Sequence, residues 1–446
     1  MSLPRYPNYK DSGVQWLGQV PEHWGVDRLK RSTISAKNGI WGDDAQQNES
    51  DIPCVRVADF DRQGLRVKLS EPTIRNVLAR ERVGRVLNQG DLLLEKSGGG
   101  EGQPVGCVVL YDDSLSAVCS NFVARVQTAP HMNSSFWRYV HAAAYAVRLN
   151  TRSIKQTSGI QNLDASQYFD ERAAFPPLPE QNQIAAFLDR ETAKIDALVA
   201  EQRRLMALLK EKRQAIISHA VTRGLNLDAP MKPSGIEWLG EVPEHWSTPS
   251  LYMRYSSELG KMLDSSKITG DHLIPYTRNV DVQWGLINLG DLPYMDIRED
   301  EYERYTVRTG DLLVCEGGEV GRAAIVPIIE GVFGYQKALH RLRAVDESEI
   351  AQFMYFTLLW AAQTGIFNQS GSSTIAHLTG EQLRKYRFPK PPVEEQAAIA
   401  AYLESESVKF DALTAEAQRA IDLLQERRTA LISAAVTGQI DVRELA

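Results

Sequence analysis

Two stretches of this chain place apolar residues at the a and d positions of a heptad pattern. In the first they fall at Ile184, Leu188, Ile195, Leu198, Leu205, Leu209 and Ile216. In the second they fall at Ile399, Leu403, Phe410, Leu413, Leu424 and Leu431. Such a/d positions, sustained for about five heptads, predict a long helix whose apolar stripe needs a partner. Each stretch follows a Pro-Pro pair (Pro176–Pro177 and Pro391–Pro392), which suits a helix N-terminus, and Gly224 and Gly438 predict the C-terminal stops. At ~1.5 Å per residue, about 40 residues make a rod of roughly 60 Å. The residues ahead of each stretch show another pattern. Short apolar runs (Leu92–Leu94, Val108–Leu110, Leu312–Val314, Ala323–Val326) sit between Gly, Asp and Pro signals and read as strands. One helical stretch follows in each case, over 134–149 and 349–365. The pattern predicts a compact α+β unit before each long helix.

The two halves also share wording. "GVQWLGQVPEHW" (13–24) returns as "GIEWLGEVPEHW" (235–246), "IPCVRVADF" (52–60) as "IPYTRNVDV" (274–282), and "QGDLLLEKSGG" (89–99) as "TGDLLVCEGGE" (309–319). "PPLPEQNQIAAFL" (176–188) returns as "PPVEEQAAIAAYL" (391–403), and "LLKEKRQAIISHAVTRG" (208–224) as "LLQERRTALISAAVTGQ" (423–439). The offset falls from 222 residues at the opening phrase (Trp16 to Trp238) to 215 in the helices (Ile184 to Ile399), so small insertions separate two copies. Two copies are too few for a solenoid and indicate a duplicated head–helix module with pseudo-twofold character. The expected boundaries are 1–175 for the first head, 176–224 for the first helix, 225–390 for the second head, and 391–446 for the second helix and tail.

The simplest partner for each helix is the other. An antiparallel coiled coil centred near Gln202 brings Glu191 towards Arg427 and Glu406 towards Lys212. A parallel pair in register sets Glu191 beside Glu406, an unfavourable pairing of like charges. Trp16, Trp24, Trp238 and Trp246 of the repeated phrase read as anchors that pack it onto a head or the rod, with a partner-facing surface as the competing reading, and His23 and His245 read as structural.

Composition narrows the class. The chain has 446 residues, 43% of them hydrophobic, and a net charge of −7. No apolar run is long enough for a membrane span, and the N-terminal residues do not read as a secretory leader. Four cysteines without CxxC spacing fit reduced thiols in a cytoplasmic protein. Lys and Arg minus Asp and Glu is about +2 over 25–175 and about −4 over 247–388. Charge alone therefore does not announce a nucleic-acid binder, although local patches rather than the total decide that.

The phrases heading each half, the "IPxxR" and "GDLL" segments within each head, and "PPLPEQNQIAAFLDRET" and "PPVEEQAAIAAYLESES" opening the helices resemble the specificity subunit of type I restriction-modification enzymes. The likeness covers nearly the whole chain. It implies two α+β target recognition domains, each reading one half of a split, asymmetric site in double-stranded DNA. They are joined by two long helices that form an antiparallel coiled coil. It further implies that this coil sets the spacer and docks two methyltransferase subunits, that a translocating endonuclease subunit can join, and that S-adenosylmethionine and ATP belong to those partners. No cofactor is expected on this chain.

Base reading needs paired donors and acceptors, and phosphate contact needs cations, hydroxyls or amides. Four places offer them. Arg56 and Arg278 recur three residues before Asp59 and Asp281, where an internal Arg–Asp pair is the competing reading. The Gly-rich loops 95–106 and 316–321 lack phosphate-cradle spacing, but Lys96 is a phosphate candidate. Asn121 aligns with Gln336, an amide at equivalent points, beside Ser120 and Lys337. Lys155, Gln156, Thr157 and Ser158 align with a second polar loop containing Gln369, Ser370, Ser372 and Ser373. Chemistry by the chain itself finds no support. No donor-binding Gly motif, Asn/Asp-Pro-Pro-aromatic motif, clear nuclease carboxylate cluster or HExxH spacing occurs, so neither catalytic nor metal residues are expected. A coiled-coil scaffold or inactive homologue without DNA reading is the alternative.

Overall fold

A computed structural model describes residues 3–156, 159–263, 269–368 and 377–445. The chain divides into two compact units, Met1–Arg203 with Gln418–Ala446, and Arg204–Ala417.

Each unit is built on the same four-stranded antiparallel order. In the first unit it runs β1 (Thr33–Asn38), β6 (Val123–Thr128), β3 (Asp91–Glu95), β4 (Val108–Tyr111), with β2 (Asp51–Val55) and β5 (Val118–Cys119) paired in parallel beside it. In the second it runs β7 (Tyr255–Leu259), β12 (Leu339–Ala344), β9 (Leu312–Cys315), β10 (Ala323–Ile325), with β8 (Leu273–Thr277) and β11 (Phe333–Tyr335) as the parallel pair. The central strands β3 and β9 are buried on both faces, which is why "DLLLE" and "LLVC" read as continuous apolar runs rather than alternations. One face packs on a helix, α1 (Ser134–Ala146) or α3 (Ala351–Gln363). The other covers a smaller core with Val109, Tyr111 and Cys119, or with Leu313, Cys315 and Tyr335. All four cysteines are buried and free. Burial pushes the Cys54 thiol up to about 11 and those of Cys107 and Cys119 to about 12, which makes them poor nucleophiles.

The long helices are α2 (Leu178–Arg223) and α4 (Val393–Val436). In the first unit the start of α2 packs with the end of α4, Ile184 and Leu188 sharing one core with Ile432, Ala435 and Val436. In the second unit the end of α2 packs with the start of α4, Ile217, Ala220 and Val221 sharing one core with Ile399, Ala400 and Leu403. Both unions have the antiparallel sense. Gly224 and Gly438 follow the last turns with φ of +78° and +75°, as a helix C-terminal glycine does.

The seam departs from the expected phase. Ile184, Leu188, Ile195, Ile399, Leu403 and Phe410 are buried, and Leu209, Ile216, Leu424 and Leu431 are half-buried. Leu198, Leu205 and Leu413 are exposed, at 52%, 43% and 47%. Val199, Ala417 and Ile421 are buried instead, and Met206 and Thr414 are half-buried. The inward row therefore runs Ile195, Val199, Gln202, Met206, Leu209, a strict four–three alternation that the larger leucines one residue away obscured. The expected charge pairs move with the phase. Glu191 binds Arg190 and Lys194 on its own helix, and Glu406 binds Lys409. The pairs between helices are Asp196 with Arg428 (3.0 Å) and Asp411 with Arg213 (2.6 Å). The duplication interconverts them, since Asp411 lies 215 residues after Asp196 and Arg428 lies 215 after Arg213.

Candidate nucleic-acid interface

The repeated phrase closes the junction at which a head meets both helices. Trp24 and Trp246 are fully buried. Trp24 Nε1 donates to Glu180 Oε2 (2.7 Å), and Trp246 Nε1 donates to Glu395 Oε2 (3.0 Å). His23 Nε2 lies 2.6 Å from Glu180 Oε1, and His245 Nε2 lies 2.8 Å from Glu395 Oε2. Glu180 and Glu395 stand in the first turns of α2 and α4, where a carboxylate also suits the helix dipole. The next residue ties the same turn to the head. Gln181 Oε1 accepts from Asn133 N and Gln396 Oε1 from Ile350 N, both at 3.0 Å, at the entrance to α1 and α3. A Cβ on Gly438 would run into Pro21 and approach Trp24, and one on Gly224 would crowd Trp246 and Glu395. "PEHW", "PEQ" or "EEQ", and the terminal glycine are thus three parts of one joint. The tryptophans do anchor the phrase, as expected.

Away from this joint, backbone pairing gathers the polar candidates of the first head at one edge. Ser120 N donates to Val55 O, which places the turn after β5 beside Arg56. Lys96 N donates to Phe122 O, and Leu163 N donates to Lys96 O. Ser97 and Gly98 pair with Asn162 and Gln161, whose strand in turn pairs with Ile154–Gln156. Residues separated by tens of positions in sequence therefore share one rim. The second head repeats the scheme. Gln336 N donates to Thr277 O beside Arg278, Glu316 N to Ala338 O, and Leu378 N to Glu316 O.

These bonds correct one alignment. Ser120 corresponds to Gln336, Asn121 to Lys337, and Phe122 to Ala338, so Asn121 and Gln336 are not equivalent. The turn geometry, which sequence similarity of "CSNF" and "YQKA" does not define, sets the register.

Each candidate has its own surroundings. Arg56 and Arg278 form the internal pairs weighed against DNA contact: Arg56 Nη2 lies 3.1 Å from Asp59 Oδ1, and Arg278 Nη2 lies 2.8 Å from Asp281 Oδ1. The Arg278 guanidinium holds the Asp281 carboxyl below the usual carboxylate range. Both arginine side chains keep about two fifths of their surface open. Lys96 Nζ donates to Asn38 Oδ1 (2.7 Å). Ser120 is buried and Asn121 is exposed beside an exposed Phe122. Lys155 Nζ reaches Asp164 Oδ2 (2.7 Å) and Gln156 is exposed. Gln336 is half-buried and Lys337 exposed. Thr157, Ser158, Gln369, Ser370, Ser372 and Ser373 lie outside the described residues.

Sequence reasoning missed Asn38, Ser97 and Asn162 on the first rim and Glu316 on the second. A signal for Asn38 exists in "AKNG". Gly39 and the matching Gly260 lie so close to the carbonyl oxygens after β5 and β11 that a Cβ would collide with them. Ala338 takes a φ of +102°, a conformation costly for a residue with a side chain, at the tip of the second rim. Among the described residues no group of His, Cys, Asp or Glu could hold a metal ion, and no helix is long and apolar enough to cross a membrane.

Residues 257–421 match the family model described as the type I restriction modification DNA specificity domain. The chain is 22% identical to the type I restriction enzyme MjaVIII specificity subunit of Methanocaldococcus jannaschii, covering 96% of this chain and 95% of that one. It is 24% identical to the EcoBI specificity subunit of Escherichia coli, covering 71% of this chain and 67% of that one. Two solved structures share the fold. One is a chain from work on complex assembly and conformational transition of the type I R-M system (TM-score 0.68, 18% identity, 94% and 98% covered). The other is the HsdS subunit from Thermoanaerobacter tengcongensis (TM-score 0.53, 16% identity, 94% and 98% covered). The resemblance carried by the repeated motifs is borne out.

Proposed function

We propose that this chain, a relative of type I specificity subunits that carries their DNA specificity domain, reads a split, asymmetric sequence in double-stranded DNA, one half-site per head. The observation that carries this reading is the double rim. In both heads the same backbone bonds bring an Arg-bearing strand end, a Gly-rich loop and a polar turn to one edge. The residues presented there differ between heads, so the half-sites differ. Hydroxyl, amide and guanidinium groups on strand ends and turns suit base edges and phosphates together. The paired helices α2 and α4 set the spacer and dock two methyltransferase subunits. An endonuclease subunit can join the complex. S-adenosylmethionine and ATP reside on those partners, and this chain itself is not catalytic.

The test is a methylome. The chain is co-expressed with its cognate methyltransferase in a host free of DNA methylation, and modified bases are mapped by long-read sequencing. The expected outcome is one asymmetric motif with a fixed gap. Absence of any motif favours the scaffold reading, and a short unbroken motif overturns the two-headed one.

A further inference from the structure

Where the first rim carries Lys96, the second carries Glu316. The equivalence rests on paired backbone bonds: Lys96 binds Phe122 O and Leu163 N as Glu316 binds Ala338 O and Leu378 N. The surroundings diverge. Lys96 is steadied by Asn38, which sits opposite Ala124 in the sheet. At the matching place the second head has Leu259 opposite His340. Leu259 offers no side-chain hydrogen bond, and burial drives the His340 imidazole towards its neutral form. Half-buried Glu316 makes no side-chain hydrogen bond or ion pair among the described residues, although its carboxylate lies near enough to His340 to favour the charged imidazole. Lys337, exposed, and Arg278, two fifths exposed, flank the same rim.

A carboxylate repels phosphate. The groups of a duplex that it does accept from are exocyclic amines, N4 of cytosine or N6 of adenine in the major groove and N2 of guanine in the minor groove. We infer that Glu316 is a specificity-determining residue of the second head, accepting a hydrogen bond from a base amine, while Lys337 and Arg278 hold the adjacent phosphates. Lys96, at the matching place in the first head, is a donor and serves phosphate or a base acceptor. The inference rests on the DNA-reading proposal above.

The experiment compares methylomes of the intact complex carrying wild-type chain, Glu316→Gln, Glu316→Ala or Lys96→Gln. A wild type without a split motif defeats the DNA-reading proposal itself. Given a wild-type motif, both Glu316 variants are expected to lose roughly tenfold or more discrimination at a single base pair of one half-site, the other half-site staying intact. Lys96→Gln is expected to leave the second half-site unchanged. An unaltered motif in both Glu316 variants overturns the inference. So does a uniform fall in methylation with every base preference kept, the signature of phosphate contact or misfolding.

Discussion

The two heads share a scaffold and differ in how they fill it. Ser32 and Arg254 occupy equivalent places, since Ala129 N binds Ser32 O and Val345 N binds Arg254 O. In the first head a buried Ser32 hydroxyl donates to Leu29 O (2.7 Å). In the second, Arg254 grips Glu349 through two bonds of 2.8 and 2.7 Å, both side chains 1% exposed, and donates to the Pro389 carbonyl (3.1 Å). His141 on α1 is matched by Leu358 on α3, each fully enclosed. The rims carry Lys96 and Glu316. The joint built by Trp, Glu, Gln and Gly is the same in both, and so is the Arg–Asp pair of the rim. The four residues of the helix junction are thus unchanged between copies, whereas several interior positions of the heads are filled differently around an unchanged strand order. Such a division is expected if the helices serve a common partner and the heads serve different half-sites.

Substitutions can break or sharpen this comparison. The largest effects belong to the shared joint and to the buried pair. Trp24→Ala and Trp246→Ala each remove a buried indole and its bond to a helix glutamate, and are expected to cost about 3–5 kcal/mol apiece. Denaturant unfolding with a probe in each unit should report matched losses; a much smaller loss in one unit would break the equivalence. Glu349→Gln leaves the Arg254 charge buried with a weakened partner and is expected to cost the second unit about 3 kcal/mol or more. Ser32→Ala should cost the first about 1 kcal/mol.

A middle-sized effect depends on pH. Burial holds the His141 imidazole down at about 4 in the folded protein, against 6.5 when unfolded. Between these values the unfolded chain binds the proton and the folded one does not, so stability falls as pH drops through that window. From pH 7 to pH 5 the loss for this group is about 2 kcal/mol. Urea midpoints of the first unit at the two pH values test it, and His141→Leu, copying the second head, should flatten the slope at the cost of orphaning the Tyr168 hydroxyl (2.8 Å away). An unchanged slope in that variant would show that other groups set the acid sensitivity.

The smallest effects concern the two related ion pairs of the helices. Arg428 is well covered at its pair with Asp196, whereas Asp411 is 66% exposed beside Arg213. Asp196→Asn is therefore expected to cost about 1 kcal/mol and Asp411→Asn less. Salt screens the exposed Asp411–Arg213 pair more than the covered Asp196–Arg428 pair, so the difference should widen at high salt, which thermal melts across ionic strength will reveal.

Repetition and periodicity are local properties of a sequence, and they carried the class of the fold. The two copies, the α+β heads and the two long helices with their Pro starts and Gly stops are all legible in the sequence. The seam was legible only to within one residue. A stripe at 3.6-residue spacing leaves two neighbouring phases open, and Leu198 beside Val199 or Arg427 beside Arg428 could serve either. The partner helix and the head packed against it chose the smaller Val199 and Ala417, turned Leu198 and Leu413 outward, and so paired Arg428, not Arg427, across the seam. The rim was legible as four separate polar segments and not as one surface. Val55, Phe122, Lys96 and Leu163 meet through strand pairing across tens of residues, and that long-range register fixes which residues of the two copies correspond. The sequence by itself determined the repeat, the α+β class of each copy and the two long helices. The tertiary structure decided which faces meet and which side chains share an edge, because those depend on contacts between distant segments that no local pattern specifies.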